Sequence, residues 1–276
     1  MDDKLDPRIH AYRDDLADIR LQEHVEARRF VSGTAGKIIA PIANLYGKPD
    51  SSVSVTTQAL MGETLQIFET KNGFHWVQLD ADNYVGYVAV HEVDHGDINA
   101  THEITAPLTH VYAKADIKSQ PLELLPMGAR FHAIGSSGDE FLSLTRGGFI
   151  KTISTQAKKY SELAAAAAEF IHAPYLWGGR TALGIDCSGL VQMAMKMIGQ
   201  VSPRDSDQQS EVIGAEISGT TPLARNDLIF FKGHVGIMWN ETDLLHANAH
   251  SMNVAIEPLA NVEKRAEITR RRRLTG

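Results

Sequence analysis

The sequence predicts an α+β domain at its C-terminal end, preceded by two small all-β barrels. Three observations carry this. From about residue 34 short strand-like runs follow one another, broken by turn residues. A weaker echo of the same pattern follows to about residue 155. At about residue 156 the texture changes to helix-forming stretches and then to a run of strands, the order expected of an α+β domain. The divisions expected are 1–33 (an N-terminal helical segment), 34–98 (first barrel), 99–155 (second barrel) and 156–276 (the α+β domain).

Residues 6–30 place Ile9, Tyr12, Leu16, Ile19 and Val25 at helical spacing among many charges, which predicts a polar helix lying on another element. The first barrel is read from Gly36–Ala40, Val53–Val55, Leu65–Phe68, Trp76–Leu79 and Tyr84–Val88. The echo pairs Ala106-Pro107-Leu108 with Ala40-Pro41-Ile42, and Leu125-Pro126-Met127-Gly128 with Leu60-Met61-Gly62-Glu63. Gly148-Phe149-Ile150 pairs with Gly86-Tyr87-Val88. The pattern is that of two divergent copies of a unit of roughly 55 residues.

Tyr160–Ile171, with alanines at 164–168, predicts a helix by propensity, ended before Pro174. A glycine-rich loop (Gly178, Gly179, Gly184) leads to a second helix striped by Leu190, Met193, Ala194, Met197 and Ile198, for which Asp186 is an N-cap candidate. Strands are expected at 228–231, 235–239, 244–247 and 254–256. The arginine run 270–273 is expected to be a solvated strand or tail.

Composition narrows the function. With 27 basic and 34 acidic residues, a net charge of −7, the chain has no electrostatic footprint for nucleic acid. No window approaches the ~20 apolar residues of a membrane span. The N-terminus lacks a leader-like apolar segment, and one cysteine fits a reducing compartment, so a cytoplasmic location is expected.

That cysteine, Cys187, stands at the start of the second helix, where backbone N–H groups and the helix dipole favour a thiolate. A nucleophile is the stronger reading there, and a buried structural thiol the weaker one. His234 opens a strand and by itself is equally an exposed edge histidine. His246 sits among Leu244, Leu245 and Ala247 on a buried strand and needs a polar partner. A ring nitrogen of His234 and a backbone carbonyl are equal candidates.

Pro174-Tyr175-Leu176-Trp177-Gly178-Gly179, followed by Gly184-Ile185-Asp186-Cys187-Ser188-Gly189, resembles the signature of NlpC-type cysteine peptidases of bacterial cell-wall peptides. Pro203-Arg204-Asp205-Ser206-Asp207-Gln208-Gln209 resembles that family's following loop, and Asn226–Phe231 with His234-Val235-Gly236-Ile237 its histidine motif. The resemblance implies a papain-like fold with Cys187 as nucleophile, His234 as general base and acid, and His246 fixing the imidazole. Tyr175 is implied as a hydroxyl donor near the oxyanion, with Asp186 and Ser188 flanking the nucleophile in the same set.

The two barrels resemble bacterial SH3-like domains. The layout resembles γ-D-glutamyl–L-diamino acid endopeptidases, some of which prefer a free N-terminal L-Ala. For that preference Asp205 and Ser206 fit by motif position, and Glu63 and Tyr84 are candidates from the first barrel. The implied substrate is a muropeptide from murein recycling, with no cofactor and no metal. The second barrel departs from the family pattern by its degeneracy, the Tyr84–Tyr87 segment by a tyrosine where tryptophan is common. Two other readings are a thiol amidase or acyltransferase on the same core, and an inactive wall-binding protein. A metal site on His246 and His250 is disfavoured by Asn248 between them and by Asp243 on the opposite face.

Overall fold

A computed structural model describes residues 5–96, 99–138, 140–156 and 158–275. The chain forms two compact units, Met1–Ala157 and Lys158–Gly276.

The expected N-terminal helix does not form. Over residues 6–30 there is a 3-10 turn at Ile19–Leu21 and a two-residue parallel pairing of Ala17–Asp18 with Phe30–Val31. Local side-chain bonds compete with the helix: Asp6 accepts from the backbone N–H of Arg8 at 2.9 Å, and Asp18 from that of Arg20 at 2.9 Å. The apolar residues instead pack as a loop. Ala11 and Leu16 are buried with Phe68 and Trp76, so tertiary packing overrides the helical spacing.

Seven antiparallel strands form the first sheet, in the order 55–60, 42–46, 85–89, 74–79, 64–71, 34–38 and 93–95. Alternate residues such as Leu45, Leu65, Val77, Leu79 and Val88 fill its core. A second sheet follows in the order 121–126, 108–112, 149–151, 141–144 and 133–137. Its core holds Ile104, Val111, Leu125, Leu144 and Ile150.

The second sheet repeats the connectivity of five strands of the first. The turns match bond for bond. Met61 N donates to Pro41 O at 3.2 Å and Met127 N to Pro107 O at 3.1 Å. Gly62 N donates to Ile38 O, and Gly128 N to Ile104 O, both at 2.8 Å. Both glycines have positive φ (77° and 88°), the backbone that such a turn requires. Each sheet also shifts register at the same point, between Leu45 and Tyr46 and between Val111 and Tyr112.

In the second unit, helices α1 (Leu163–Ala167), α2 (Cys187–Met197) and α3 (Ser206–Val212) precede a six-stranded antiparallel sheet. Its strands are β1 (Ala215–Glu216), β2 (Leu228–Phe231), β3 (His234–Met238), β4 (Asp243–Asn248), β5 (Asn253–Pro258) and β6 (Ile268–Arg273). They are ordered β1-β6-β2-β3-β4-β5, with the short helix α4 (Leu259–Glu263) between β5 and β6. Helix α2 packs on β3 and β4.

Two expectations are corrected here. The helix expected over 160–171 is only α1 plus a 3-10 turn at Ala168–Phe170. Glu162 is extended, and Asn226 Oδ1 accepts from Ala164 N at 2.9 Å, which starts the helix late. The arginine run is a strand, as one of the two alternatives had it, and three of its arginines are half-exposed, but Arg272 is not solvated. Arg272 is buried and donates to the carbonyls of Ile213 (2.5 Å), Glu211 (2.9 Å) and Gly214 (3.3 Å) at the end of α3. Arg273 clamps the buried Asp227 with two 2.7 Å bonds.

Candidate active site

Helix α2 begins inside the protein, and the sequence around Cys187 shows how. Asp186 caps the helix, its Oδ1 accepting from Gly189 N at 2.7 Å while Oδ2 accepts from Gly178 N at 2.8 Å. The glycines allow two chain segments to touch. A Cβ on Gly189 would lie 2.3 Å from the carbonyl oxygen of Gly179, and one on Gly179 only 2.4 Å from that of Gly184.

The capping carboxylate is buried and needs a counter-charge. Arg204 provides it with a two-pronged contact, Nη1 to Oδ1 at 3.0 Å and Nη2 to Oδ2 at 2.7 Å, and its side chain is 1% exposed. Nη1 also donates to Ser188 Oγ at 2.8 Å. Gln209 Nε2 ties the loop down through the carbonyls of Ser188 and Pro203, both at 2.9 Å. Ser188 therefore faces this buried network. Asp205 and Ser206 follow Arg204 directly, both half-buried, at the start of α3.

Cys187 is 6% exposed. The Val235 N–H, next to His234 at the start of β3, acts on the thiol and favours its charged form. Burial pushes the thiol up to about 12, the Asp186 carboxylate adds to this, and the Val235 N–H and Arg204 only partly oppose it. Burial of the resting thiol thus works against the thiolate that a helix start favours. Tyr175 is raised to about 12 as well, first by burial and then by Cys187 and Asp186, so it stays a neutral hydroxyl. Its backbone is pinned between strands, Tyr175 N donating to Met252 O at 2.9 Å.

His234 and His246 meet across neighbouring strands, Nε2 of the first 2.8 Å from Nδ1 of the second. Of the two partners the sequence left open for His246, this is the ring nitrogen. His246 Nε2 lies 3.0 Å from Glu257 Oε1 on β5, and Arg265 donates to the same oxygen. Burial drives His234 down to about 4, with His246 and Arg265 adding and Glu257 opposing. His246 is lowered too, first by burial. Both ring nitrogens of His246 are engaged, and His250 is exposed in the turn after β4. Among the described residues no cluster of three or more His, Cys, Asp or Glu is placed to hold a metal ion.

Glu63 and Tyr84 belong to the first unit. Both are buried: Glu63 Oε2 accepts from Leu60 N at 3.0 Å inside its turn, and Tyr84 is part of the first sheet's core. Sequence reasoning missed Arg204, Glu257 and Arg265. Arg204 had a signal, since it sits beside Asp205 and a capping aspartate in an apolar setting calls for a cation. Glu257 had none, because only the register of β4 on β5 brings it to His246.

Residues 172–273 match the NlpC/P60 family, and residues 45–93 match the bacterial dipeptidyl-peptidase Sh3 domain. The chain is similar to dipeptidyl-peptidase 6 of Lysinibacillus sphaericus, 29% identical over 249 residues, covering 80% of this chain and 90% of that protein. It is also similar to the gamma-D-glutamyl-L-lysine dipeptidyl-peptidase of Bacillus subtilis, 26% identical over 246 residues, covering 79% and 81%. A crystal structure of an NlpC/P60 family protein from Bacillus cereus superposes with a TM-score of 0.73 at 21% identity, covering 88% of this chain and all of that one. The second unit thus has the papain-like fold of a cysteine peptidase. The chain belongs to the NlpC/P60 family.

Proposed function

We propose that the protein is a cysteine endopeptidase that hydrolyses the γ-D-glutamyl–diamino acid bond of muropeptides through Cys187, His234 and His246. The observation that carries this is a buried thiol heading α2 that the Val235 N–H acts on, with His234, the residue before Val235, hydrogen-bonded to His246. The named relatives, one of which acts on a γ-D-glutamyl-L-lysine bond, support the substrate class.

In this reading thiol and imidazole both rest neutral. His234 takes the thiol proton as sulfur attacks the amide carbonyl, so charge separates only as the C–S bond forms. The oxyanion is met by the Cys187 N–H and the neutral Tyr175 hydroxyl. The tetrahedral adduct collapses, the C–N bond breaks and His234 returns its proton to the leaving amine. Water, deprotonated by His234, then hydrolyses the thioester and restores the thiol.

The domain assignment proposed is an N-terminal segment at 1–33, which lacks the helix expected of it, SH3-like barrels at 34–98 and 99–155, and the catalytic domain at 156–276. The shared connectivity, turn bonds and register shifts support a second SH3-like barrel. Asp205 and Ser206 are assigned by motif position to the preference for a free N-terminal L-Ala, and Glu63 and Tyr84, buried in the first unit, are kept only as first-barrel candidates for it. The lone thiol supports action on released peptides in the reducing cytoplasm during murein recycling.

Mass spectrometry of L-Ala-γ-D-Glu-diaminopimelate and its N-acetylated form, with wild type and Cys187→Ala, tests the whole reading. Release of the diamino acid from the free tripeptide alone, lost in the variant, is expected. Equal cutting of both peptides removes the roles of Glu63, Tyr84, Asp205 and Ser206. No cutting of either points to a thiol amidase or acyltransferase instead.

A further inference from the structure

We infer that Glu257, held by Arg265, is a positioning residue that sets the protonation pattern of the histidine pair and leaves Nδ1 of His234 as its basic nitrogen. The inference deepens the peptidase reading and rests on it for the role of His234.

The argument is a count of protons along one hydrogen-bonded chain. Glu257 is pushed up by burial, but the hydrogen bonds from Arg265 and His246 outweigh this and hold it below its usual value, so it is a carboxylate at neutral pH. A carboxylate only accepts. His246 Nε2, 3.0 Å away, must therefore carry a hydrogen. Burial keeps His246 neutral, so its other nitrogen, Nδ1, carries none and can only accept. His234 Nε2 lies 2.8 Å from that nitrogen and must donate to it. His234 is also neutral, so its one ring hydrogen is spent on Nε2 and Nδ1 keeps a free lone pair.

Replacing the carboxylate by an amide weakens the constraint at the first step. Arg265, which only donates, still favours the amide oxygen at this position, but the negative charge is gone and the NH2 group can turn toward His246, so the two ring forms come closer in energy and mix. The same carboxylate faces the imidazolium that forms when His234 takes the thiol proton. Nε2–H of His234 then points along His246 toward a fixed negative charge. Arg265 opposes this charge and holds Glu257 in place; its guanidinium lowers both histidines, while Glu257 raises them. Glu257 and Arg265 act on both rings of this pair and His246 also acts on His234; Phe231 lies beside the His234 ring.

Nitrogen-15 NMR of the histidine rings in the full chain reads the pattern without any substrate, with His234→Gln and His246→Gln spectra to assign the signals. At pH 7.5 the wild type is expected to show Nε2–H and bare Nδ1 on both rings. Glu257→Gln is expected to mix or reverse the two forms, and Glu257→Asp to restore them at least in part. With the free tripeptide, Glu257→Gln should lower kcat by about 10- to 100-fold and change KM by less than about 2-fold.

The acid limb of kcat/KM gives a second test. It should move to lower pH in Glu257→Gln and to higher pH in Arg265→Gln, opposite directions that a merely structural role would not produce. If Glu257→Gln does not fold, the Arg265→Gln shift alone decides. A wild-type His234 carrying its hydrogen on Nδ1 overturns the inference. So does a folded Glu257→Gln with unchanged ring forms and kcat, or an Arg265→Gln limb that stays or moves down. Failure of the tripeptide to be cut, with the ring pattern as expected, would instead fault the substrate reading.

Discussion

Replacing Arg204 by methionine tests whether the ion pair under Cys187 holds the second unit together. Methionine keeps much of the side-chain volume and removes the charge. It leaves the Asp186 carboxylate buried with the Gly178 and Gly189 N–H groups as its backbone partners. Removing one partner of a buried pair costs about 3–5 kcal/mol, because the remaining charge is uncompensated. The unit Lys158–Gly276 has about 120 residues, which corresponds to an unfolding entropy near 0.25 kcal/mol/K, so the midpoint should fall by roughly 12–20 °C. Calorimetry of the full chain, following the transition of this unit, reads the shift. The double variant Asp186→Asn/Arg204→Met should recover part of the loss but not all, since an amide NH2 cannot accept from Gly178 N and a buried N–H left unpaired costs about 1–3 kcal/mol. A fall under about 4 °C in Arg204→Met would refute the reasoning. So would a double variant as unstable as the two single ones summed, because the charges would then not be coupled.

Four further outcomes follow from the same structure. The His234 value near 4 lies below that of an unfolded histidine, so its stability contribution is present above about pH 6.5 and is lost as pH falls toward 4; a decline on the order of 3 kcal/mol across that window is expected in urea melts. Iodoacetamide should alkylate Cys187 far more slowly at pH 7.5 than a free thiol, since burial holds it near 12; fast labelling with an apparent value below about 7 would contradict this. Arg272→Ala should cost about 1–3 kcal/mol by stripping the carbonyls of Ile213 and Glu211 of their donor, measured as a urea midpoint. Gly189→Ala should destabilise strongly, because its Cβ would meet the Gly179 carbonyl at 2.3 Å, and the expressed protein should show a lower thermal midpoint.

What the sequence disclosed and what it hid divide by the range of the interaction. Strand runs, turn glycines and the Asp186 cap are local, set by alternation, positive φ and side-chain reach, and most are where the pattern put them, although the run expected at Val53–Val55 forms its strand at Val55–Leu60. The echo between Ala40–Glu63 and Ala106–Gly128 was legible for the same reason: one turn uses one set of hydrogen bonds. The helix expected at 6–30 failed because its apolar spacing serves a loop packed on Phe68 and Trp76, a long-range contact that spacing cannot reveal. The arginine run misled in the same way, because β6 lies inside the sheet between β1 and β2. For the candidate site, the residue types Cys187, His234 and His246 stood out, but the proton pattern among them did not. That depends on Glu257, which the register of β4 on β5 brings into place.

Each side of the thiol–imidazole pair is backed by a carboxylate that an arginine holds. Asp186 organises the start of α2 by accepting two backbone N–H groups, and left alone its charge would push the thiol higher still. Arg204 offsets that field while leaving the hydrogen bonds intact. Glu257 fixes His246 and favours positive charge on the imidazoles, whereas Arg265 opposes it. In both cases the carboxylate supplies geometry and the arginine limits its electrostatic reach, which fits a resting site whose thiol and histidine are both neutral. Catalysis on this arrangement requires charge to separate only as the new bond forms. Water exclusion should therefore matter more here than in a site with a preformed thiolate. Polar substitutions that open the α2–β3 contact should reduce kcat even where every catalytic side chain is retained.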